Sequence, residues 1–265
     1  MDDRQEQLRS ERKARRPQVA LYVTCLADLF RPSVAFAALS LLEQAGCDVS
    51  VPKQQSCCGQ PAYNTGDYDA AAPLAHQVIE AFADADYVVV PSGSCAGMIR
   101  EHYPKLLKGE WRERALAVAA KTYELTTFLA QIAPLQPPHS RACEGQKVTY
   151  HDSCAGLREL GIKHQPRQLL QEICGTDVNE LSQADVCCGF GGTFCAKMPA
   201  LSGKMVQDKL DDALATGADI LVGGDLGCLL NIAGRASRVG AAIEVRHIAE
   251  LLADQMAQPP IGQGD

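Results

Sequence analysis

The chain has 265 residues, of which 46% are hydrophobic and 5% aromatic, and it carries a net charge of −7. The hydrophobic content is sufficient for a packed core, so wholesale disorder is excluded. The negative charge opposes binding to phosphate backbones, and the low aromatic content argues against a stacking platform for single-stranded nucleic acid. The sequence has neither an apolar run of 18 residues nor an N-terminal apolar segment. It therefore predicts a cytoplasmic protein without a membrane span or a secretory signal.

The predicted elements alternate between short apolar strands and longer helices. A charged tail covers residues 1–18, and the first half then contains a strand at 19–24, helices at 32–46 and 67–83, and a strand at 86–91. The second half contains a strand at 147–152, a helix at 199–215 and a strand at 219–224. The later strand of each half is a continuous apolar run, as expected for a buried parallel strand. Pro32 suits the first turn of its helix, and Gly46 suits the C-terminal cap.

The two halves of the chain show the same order of strands, cysteines and helices. The matched cysteines are separated by 129, 130, 130 and 133 positions, in the pairs Cys25/Cys154, Cys57/Cys187, Cys58/Cys188 and Cys95/Cys228. The halves also end alike, at 123–132 and 245–254. A chance similarity would not keep this register, so the chain is interpreted as an internal duplication.

The alternation of elements within each half predicts an α/β fold. It consists of two similar subdomains with mainly parallel sheets, related by the duplication. The first subdomain is assigned to residues 19–132 and the second to 147–255. A Pro-rich linker at 133–146 joins them, and a tail follows at 256–265.

The cysteines carry most of the chemical information in this sequence. There are 12 of them, in a long chain that can build a core without disulfides and that has no export signal. Metal-binding thiolates are therefore the better interpretation. The spacings are C-x31-CC-x36-C in the first half and C-x32-CC-x39-C in the second. Four thiolates form a complete ligand set for Zn²⁺ or for an iron–sulfur cluster. The candidate ligands are Cys25, Cys57, Cys58 and Cys95 in one half and Cys154, Cys187, Cys188 and Cys228 in the other.

The positions of these cysteines support one shared site in each half. The cysteines that lie outside the vicinal pairs follow the carboxyl ends of predicted strands, where open α/β sheets bind ligands. Helices are predicted to begin beside Cys95 and Cys228, and their free N–H groups can stabilise anionic thiolates. Adjacent side chains in an extended strand point in opposite directions. Gly59 and Gly189, which follow the vicinal pairs, are therefore expected to form sharp turns that aim both sulfurs at one site.

Five motifs resemble those of the duplicated CCG, or cysteine-rich, domain family: CCGQPAYNTGD, SGSCAGM, HDSCAGLRELG, CCGFGGTF and DLGCLLNI. The resemblance covers residues 19–254. Such domains are carried by heterodisulfide reductase and by the iron–sulfur subunits of glycolate and anaerobic glycerol-3-phosphate dehydrogenases. The length and motifs are most similar to the lactate utilization members. This implies up to two iron–sulfur clusters of the 4Fe–4S type, held by the eight matched cysteines.

The resemblance also implies a function and partners. Such a chain is expected to be an electron-transfer subunit of a complex that oxidises L-lactate to pyruvate. Its partners would be a ferredoxin-type iron–sulfur subunit and a third lactate-utilization subunit. The chain has neither a ferredoxin C-x2-C-x2-C-x3-C run nor a GxGxxG after a strand. It is therefore expected to act as one subunit of an oxidoreductase and to be inactive alone.

Two positions depart from the family pattern, which ends each half in CxxC. Met98 and Asn231 stand where the last cysteine is expected. A thioether is a weak ligand, and an asparagine is not an expected one. Four thiolates remain in each half, which leaves open whether a cluster would be cubane or non-cubane. Zinc in one half is the alternative metal. The alternative functions are a CCG subunit of a glycolate, glycerol-3-phosphate or disulfide-reducing oxidoreductase, and a zinc-thiolate scaffold or assembly protein without a redox role.

Other polar residues have a functional and a structural interpretation. His151 and His247 lie at predicted strand ends, where a histidine could accept a proton from an α-hydroxy acid or simply be a hydrogen-bonded structural residue. Three lysines follow the second vicinal pair and are expected to be surface charges, with partner docking as the alternative. They are Lys197, Lys204 and Lys209.

Four cysteines have no counterpart in the other half. Cys47 and Cys174 lie near predicted helix ends and are expected to be core thiols. Cys143 lies in the predicted linker and is expected to be incidental. Cys195 follows the second vicinal pair and is expected to be a packed thiol, with a spare ligand or redox partner as the alternative.

Overall fold

A computed structural model of the protein describes residues 16–136 and 140–263. Residues 1–15 of the charged tail predicted at 1–18 lie outside the described residues. Among the described residues, no helix is both long and apolar enough to cross a membrane.

The first half follows the predicted order of elements. Its strands are β1 (Gln18–Leu21), β2 (Asp48–Ser50), β3 (Tyr87–Val90) and β4 (Thr122–Glu124). Its helices are α1 (Cys25–Phe30), α2 (Pro32–Gln44), α3 (Gln60–Asn64), α4 (Tyr68–Ala81), α5 (Gly93–Gly97), α6 (Tyr103–Leu106), α7 (Gly109–Ala120) and α8 (Leu125–Gln131). A π-helical turn at Met98–His102 joins α5 to α6.

The second half repeats this order with fewer elements. Its strands are β5 (Val148–His151), β6 (Ile220–Gly223) and β7 (Glu244–His247). Its helices are α9 (Cys154–Arg158), α10 (His164–Cys174), α11 (Phe194–Lys197), α12 (Pro199–Ala215), α13 (Leu226–Val239) and α14 (Ile248–Leu252).

The two sheets have the same parallel topology. The first has the strand order β2-β1-β3-β4, and the second has the order β5-β6-β7. A single parallel bridge between Val148 and Val178 stands where the first sheet has β2. The predicted α/β class, the parallel sheets and the duplication are therefore confirmed.

Local sequence signals account for most of the helix ends. Pro32 is the first residue of α2, and Gly46 follows that helix with a φ of +80°. This left-handed backbone favours glycine because it has no Cβ. Helix α12 covers the range 199–215 that its amphipathic pattern predicts.

One of the hydrophobic clusters is shared by the two halves. Helix α14 of the second half packs against α2 of the first, and α8 of the first half packs against α10 of the second. The last helix of each half therefore contacts the first long helix of the other half. Val89 from one sheet and Val222 from the other lie in one buried cluster, together with Leu129 and Leu252.

The segments that join and follow the halves also pack against them. In the segment predicted as a linker, Ala133, Leu135 and Cys143 are buried in the shared core, while residues 137–139 lie outside the described residues. In the segment predicted as a C-terminal tail, the Ile261 N–H donates to the Val245 carbonyl at 2.9 Å. The Ile261 side chain is buried.

Buried polar contacts also join the two halves. The Arg31 Nε lies 2.8 Å from Glu250 Oε1, and the Glu250 side chain is wholly buried. Asp225 of the second half contacts the first half. Its Oδ2 accepts a hydrogen bond from the Ser94 N–H at 2.7 Å and one from Ser92 Oγ at 3.3 Å. Asp225 thus caps the start of α5, a helix of the other half.

Candidate metal centres

Each half places two cysteines at the beginning of helices that follow strands. Cys25 and Cys154 are the first residues of α1 and α9, and Cys95 and Cys228 are the third residues of α5 and α13. The N–H groups at a helix start are not used within the helix, and the helix dipole favours negative charge there. These N–H groups would stabilise thiolates bound to a metal, as expected from the sequence for Cys95 and Cys228.

The vicinal cysteines lie at sharp turns of the expected kind. Gly59 and Gly189 both have a φ of +81°. A side chain at Gly189 would also place its Cβ only 2.9 Å from the Cβ of Met205. The predicted glycine turns are therefore confirmed, and the second one is also enforced by close packing against α12.

In the first half, the four matched cysteines lie together. The Cys25 and Cys57 sulfurs are 3.6 Å apart, and the Cys58 and Cys95 sulfurs are 3.4 Å apart. Tyr103 supports this arrangement, because its hydroxyl donates to the Cys58 carbonyl at 2.8 Å.

In the second half, the matched cysteines form the same chain of thiol contacts. The Cys154 and Cys188 thiols interact with Cys187, and Cys188 also interacts with Cys228. The Gly189 N–H also donates to the Cys187 sulfur at 3.3 Å. The eight cysteines predicted from the repeat therefore fall into two sets of four.

The first cysteine of each vicinal pair has a lowered thiol pKa. Hydrogen bonds from Cys25 and Cys58 hold the pKa of the Cys57 thiol well below its usual value. The equivalent hydrogen bonds lower the pKa of Cys187. The pKa of Cys58 is raised by its contacts with Cys57 and Cys95 and by burial. The remaining thiols of each set would release their protons on metal binding.

The family pattern has a fifth cysteine at the positions of Met98 and Asn231, and these two residues make other contacts here. Met98 is wholly buried in the hydrophobic core of the first half. The Asn231 side-chain amide donates to the Cys188 carbonyl at 2.9 Å. This is the contact that Tyr103 makes with Cys58 in the first half. Four thiols remain in each set, and they fit tetrahedral zinc or an iron–sulfur cluster.

A cavity of about 210 Å³ adjoins the first set and lies between the halves. Its lining includes Cys25, Cys57, Cys58 and Cys95 from the first half and Phe190 and Asp225 from the second. A Cβ at Gly227 would lie 2.4 Å from the Phe190 ring, so only glycine allows this ring to stay in the wall. The first set therefore faces a cavity that both halves build.

The prediction that Lys209 is a surface charge is wrong. Only 1% of Lys209 is exposed, whereas Lys197 and Lys204 are exposed as expected. The Lys209 ammonium donates to the Gln183 carbonyl. Lys209 lies on the buried stripe of α12, three residues after Val206 and one before Leu210. That helical period is the signal in the sequence that could have identified it.

The two candidate histidines differ in their surroundings. His247 is the N-cap of α14, and its Nδ1 accepts from the Ala249 N–H at 3.2 Å. The structural interpretation of His247 is therefore confirmed. Burial lowers the pKa of His151 to about 3. Neither ring nitrogen of His151 has a hydrogen-bond partner among the described residues.

The unrepeated cysteines lie away from the two sets or at their edge. Cys47 is buried in the shared core, as predicted. The Cys143 thiol lies beside Cys174 and lowers the pKa of that thiol, a proximity that the sequence did not predict. Cys195 lies beside the second vicinal pair, where its thiol donates to the Gly192 carbonyl at 3.4 Å.

The cysteine-rich domain (CCG) family matches the sequence twice, at residues 19–100 and 148–233. The chain belongs to this family. The matches contain all eight cysteines of the two sets, so the duplicated family resemblance is confirmed.

Relatives are similar over nearly their whole length. The chain is 48% identical to Lactate utilization protein A of Shouchella clausii over 236 residues, which are 88% of this chain and 98% of the relative. It is 49% identical to Lactate utilization protein A of Geobacillus thermodenitrificans over 237 residues, 89% of this chain and 98% of the relative. It is 44% identical to Lactate utilization protein A 2 of Bacillus cereus over 238 residues, with the same coverage.

Proposed function

We propose that this protein is the iron–sulfur electron-transfer subunit of a cytoplasmic complex that oxidises L-lactate to pyruvate. The observation that carries the proposal is the presence of two four-thiol sets at equivalent strand ends of a chain similar to Lactate utilization protein A. One 4Fe–4S cluster would bind to each set. The ligands would be Cys25, Cys57, Cys58 and Cys95 in the first half and Cys154, Cys187, Cys188 and Cys228 in the second.

Two sites in one chain suit a two-electron substrate. Oxidation of lactate releases two electrons, and each iron–sulfur cluster accepts one at a time. The loops that carry the vicinal pairs contact each other across the interface, since a Cβ at Gly192 would lie 3.5 Å from the Pro61 Cα. This proximity supports electron exchange between the two halves.

The cavity beside the first set is poorly suited to lactate itself. A lactate carboxylate is usually bound by arginine or lysine. Within the described part of the chain, the cavity lining contains no such residue and instead includes the carboxylate of Asp225. The partner subunits, a ferredoxin-type iron–sulfur subunit and a third lactate-utilization subunit, are the proposed places for the lactate site.

Metal analysis of protein purified without oxygen tests the cofactor. We expect about four to eight irons per chain with matching sulfide. Cys58→Ser and Cys188→Ser should each remove only the iron of their own half. Cys47→Ser is the matched control, because Cys47 is a buried thiol outside both sets. Stoichiometric zinc with negligible iron would overturn the proposal in favour of a zinc-thiolate scaffold.

Reconstitution tests the reaction. The isolated chain should not reduce an acceptor dye with L-lactate, and activity should appear when both partner subunits are added. Glycolate and glycerol 3-phosphate serve as competing substrates. Lactate oxidation by the isolated chain, or a preference of the complex for one of the other substrates, would contradict the proposed role.

A further inference from the structure

The duplication provides an internal comparison at the residue three positions before the first cysteine of each set. This residue is Tyr22 in the first half and His151 in the second. Both side chains are buried. The Tyr22 hydroxyl is satisfied, because it donates to the Ser56 carbonyl at 2.5 Å. In both halves this position therefore carries a buried polar side chain that needs a hydrogen-bond partner.

His151 has no such partner in the protein. Both ring nitrogens are buried, and neither makes a hydrogen bond to another described residue. Leaving a buried polar group unsatisfied costs about 1–3 kcal/mol. A histidine is therefore a poor choice for this position unless something other than a protein side chain binds the ring.

The surroundings of His151 identify the missing partner. One ring nitrogen of His151 and the sulfurs of Cys188 and Cys228 all lie within 4.8 Å of one another. Imidazole nitrogen and thiolate sulfur are the donor types that zinc and iron accept together.

We propose that His151 is a protein ligand of the metal centre in the second half, beside Cys188 and Cys228. The first half has no equivalent, since Tyr22 takes the position and bonds to the backbone. The two centres therefore differ in their ligands although they arose by duplication. The inference rests on the proposed function where it assigns iron as the metal.

Nitrogen hyperfine coupling tests the ligand directly. The holoprotein is prepared without oxygen from cells grown on ¹⁵N-histidine, reduced, and measured by pulsed electron paramagnetic resonance. We expect a coupling typical of a directly bound imidazole, with the isotope shift that the label produces. His151→Asn should abolish the coupling and speed the loss of iron to a chelator. His247→Asn is the matched control, since asparagine also caps helices, and it should keep the coupling.

A second variant separates ligation from a packing role. His151→Cys should retain iron, because it supplies a thiolate, and its extra negative charge should shift the reduction potential of the second centre to a lower value. If His151→Asn fails to fold, the labelled unmodified protein still decides the question. A cluster without nitrogen coupling, or an unchanged spectrum and iron retention in His151→Asn, would overturn the inference while leaving the proposed function intact.

The failure of the proposed function has a different signature. Zinc in place of iron would contradict the electron-transfer role. In that case Co²⁺ is added to the metal-free protein as the probe, and the same nitrogen coupling is sought for the bound cobalt. Coupling that is lost in His151→Asn would support His151 as a ligand, and cobalt bound without coupling would overturn it.

Discussion

Replacing Arg31 with methionine should destabilise the protein strongly, because Arg31 neutralises a buried carboxylate of the other half. The Arg31 Nε contacts Glu250 Oε1 at 2.8 Å, and another guanidinium nitrogen donates to the Pro259 carbonyl at 2.6 Å. Ser33 Oγ donates to the same carboxylate oxygen at 2.6 Å. One side chain therefore connects the first half to α14 and to the C-terminal segment.

The expected cost follows from the burial of Glu250, whose side chain is wholly inaccessible. Removal of one partner from a buried ion pair leaves an uncompensated charge and costs about 3–5 kcal/mol. Methionine keeps much of the apolar stem of Arg31, so the loss is mainly electrostatic. Proteins of this kind have a total stability of about 5–15 kcal/mol. The substitution should therefore remove a large part of the free energy of unfolding.

Guanidinium denaturation of anaerobic protein, followed by circular dichroism, measures this effect. The matched control is Arg16→Ala, because Arg16 forms an exposed ion pair with Asp48 and should cost less than about 1 kcal/mol. The double variant Arg31→Met with Glu250→Gln should recover part of the loss, since it removes the unpaired charge. If Arg31→Met costs no more than Arg16→Ala, the electrostatic reasoning is refuted.

Two further predictions concern single buried positions. Burial raises the pKa of Glu124 to about 7 from 4.5, so its stabilising contribution is complete below pH 4.5 and is lost as the pH rises through 7. Glu124→Gln should therefore gain about 3 kcal/mol relative to the unmodified protein between pH 4.5 and 8 in denaturation experiments, and parallel pH curves would contradict this. Gly227→Ala should cost about 1–3 kcal/mol through its clash with Phe190, and Phe190→Ala in the same chain should remove that cost. Gly203→Ala, in open space on α12, is the control, and strictly additive effects of the first two changes would exclude the clash.

The sequence predicted the elements that depend on local patterns. The apolar runs correspond to β3 and β6, and Pro32 marks the first residue of α2. The register of the repeat predicted that the cysteines would lie at strand ends, because equivalent strands of duplicated sheets end in equivalent places. These signals need only a few neighbouring residues, or a comparison of the two halves.

Contacts between the halves could not be predicted in this way. The packing of α14 on α2 joins segments more than 200 positions apart, and apolar periodicity does not say which face will cover a helix. The sequence also does not show which residue Asp225 contacts. Asp225 is the N-cap of its own helix, α13, yet it bonds to Ser94 of the other half. The orphaned ring of His151 is a third case, since a partner can be found missing only when all neighbours are placed.

The matched positions of the two halves also show how one duplicated site can acquire a different charge. Gln77 of α4 donates to the Gln54 carbonyl at 3.0 Å, three residues before the first vicinal pair. Lys209 of α12 makes the equivalent contact with the Gln183 carbonyl, four residues before the second pair. The structural task is the same, but Lys209 adds a buried positive charge that interacts with Asp212 and with Cys188. Positive charge beside a cluster favours its reduced form, because the added electron is attracted to it. Under the proposed function, the second half is therefore the easier one to reduce, and electrons entering through the first set would move toward it.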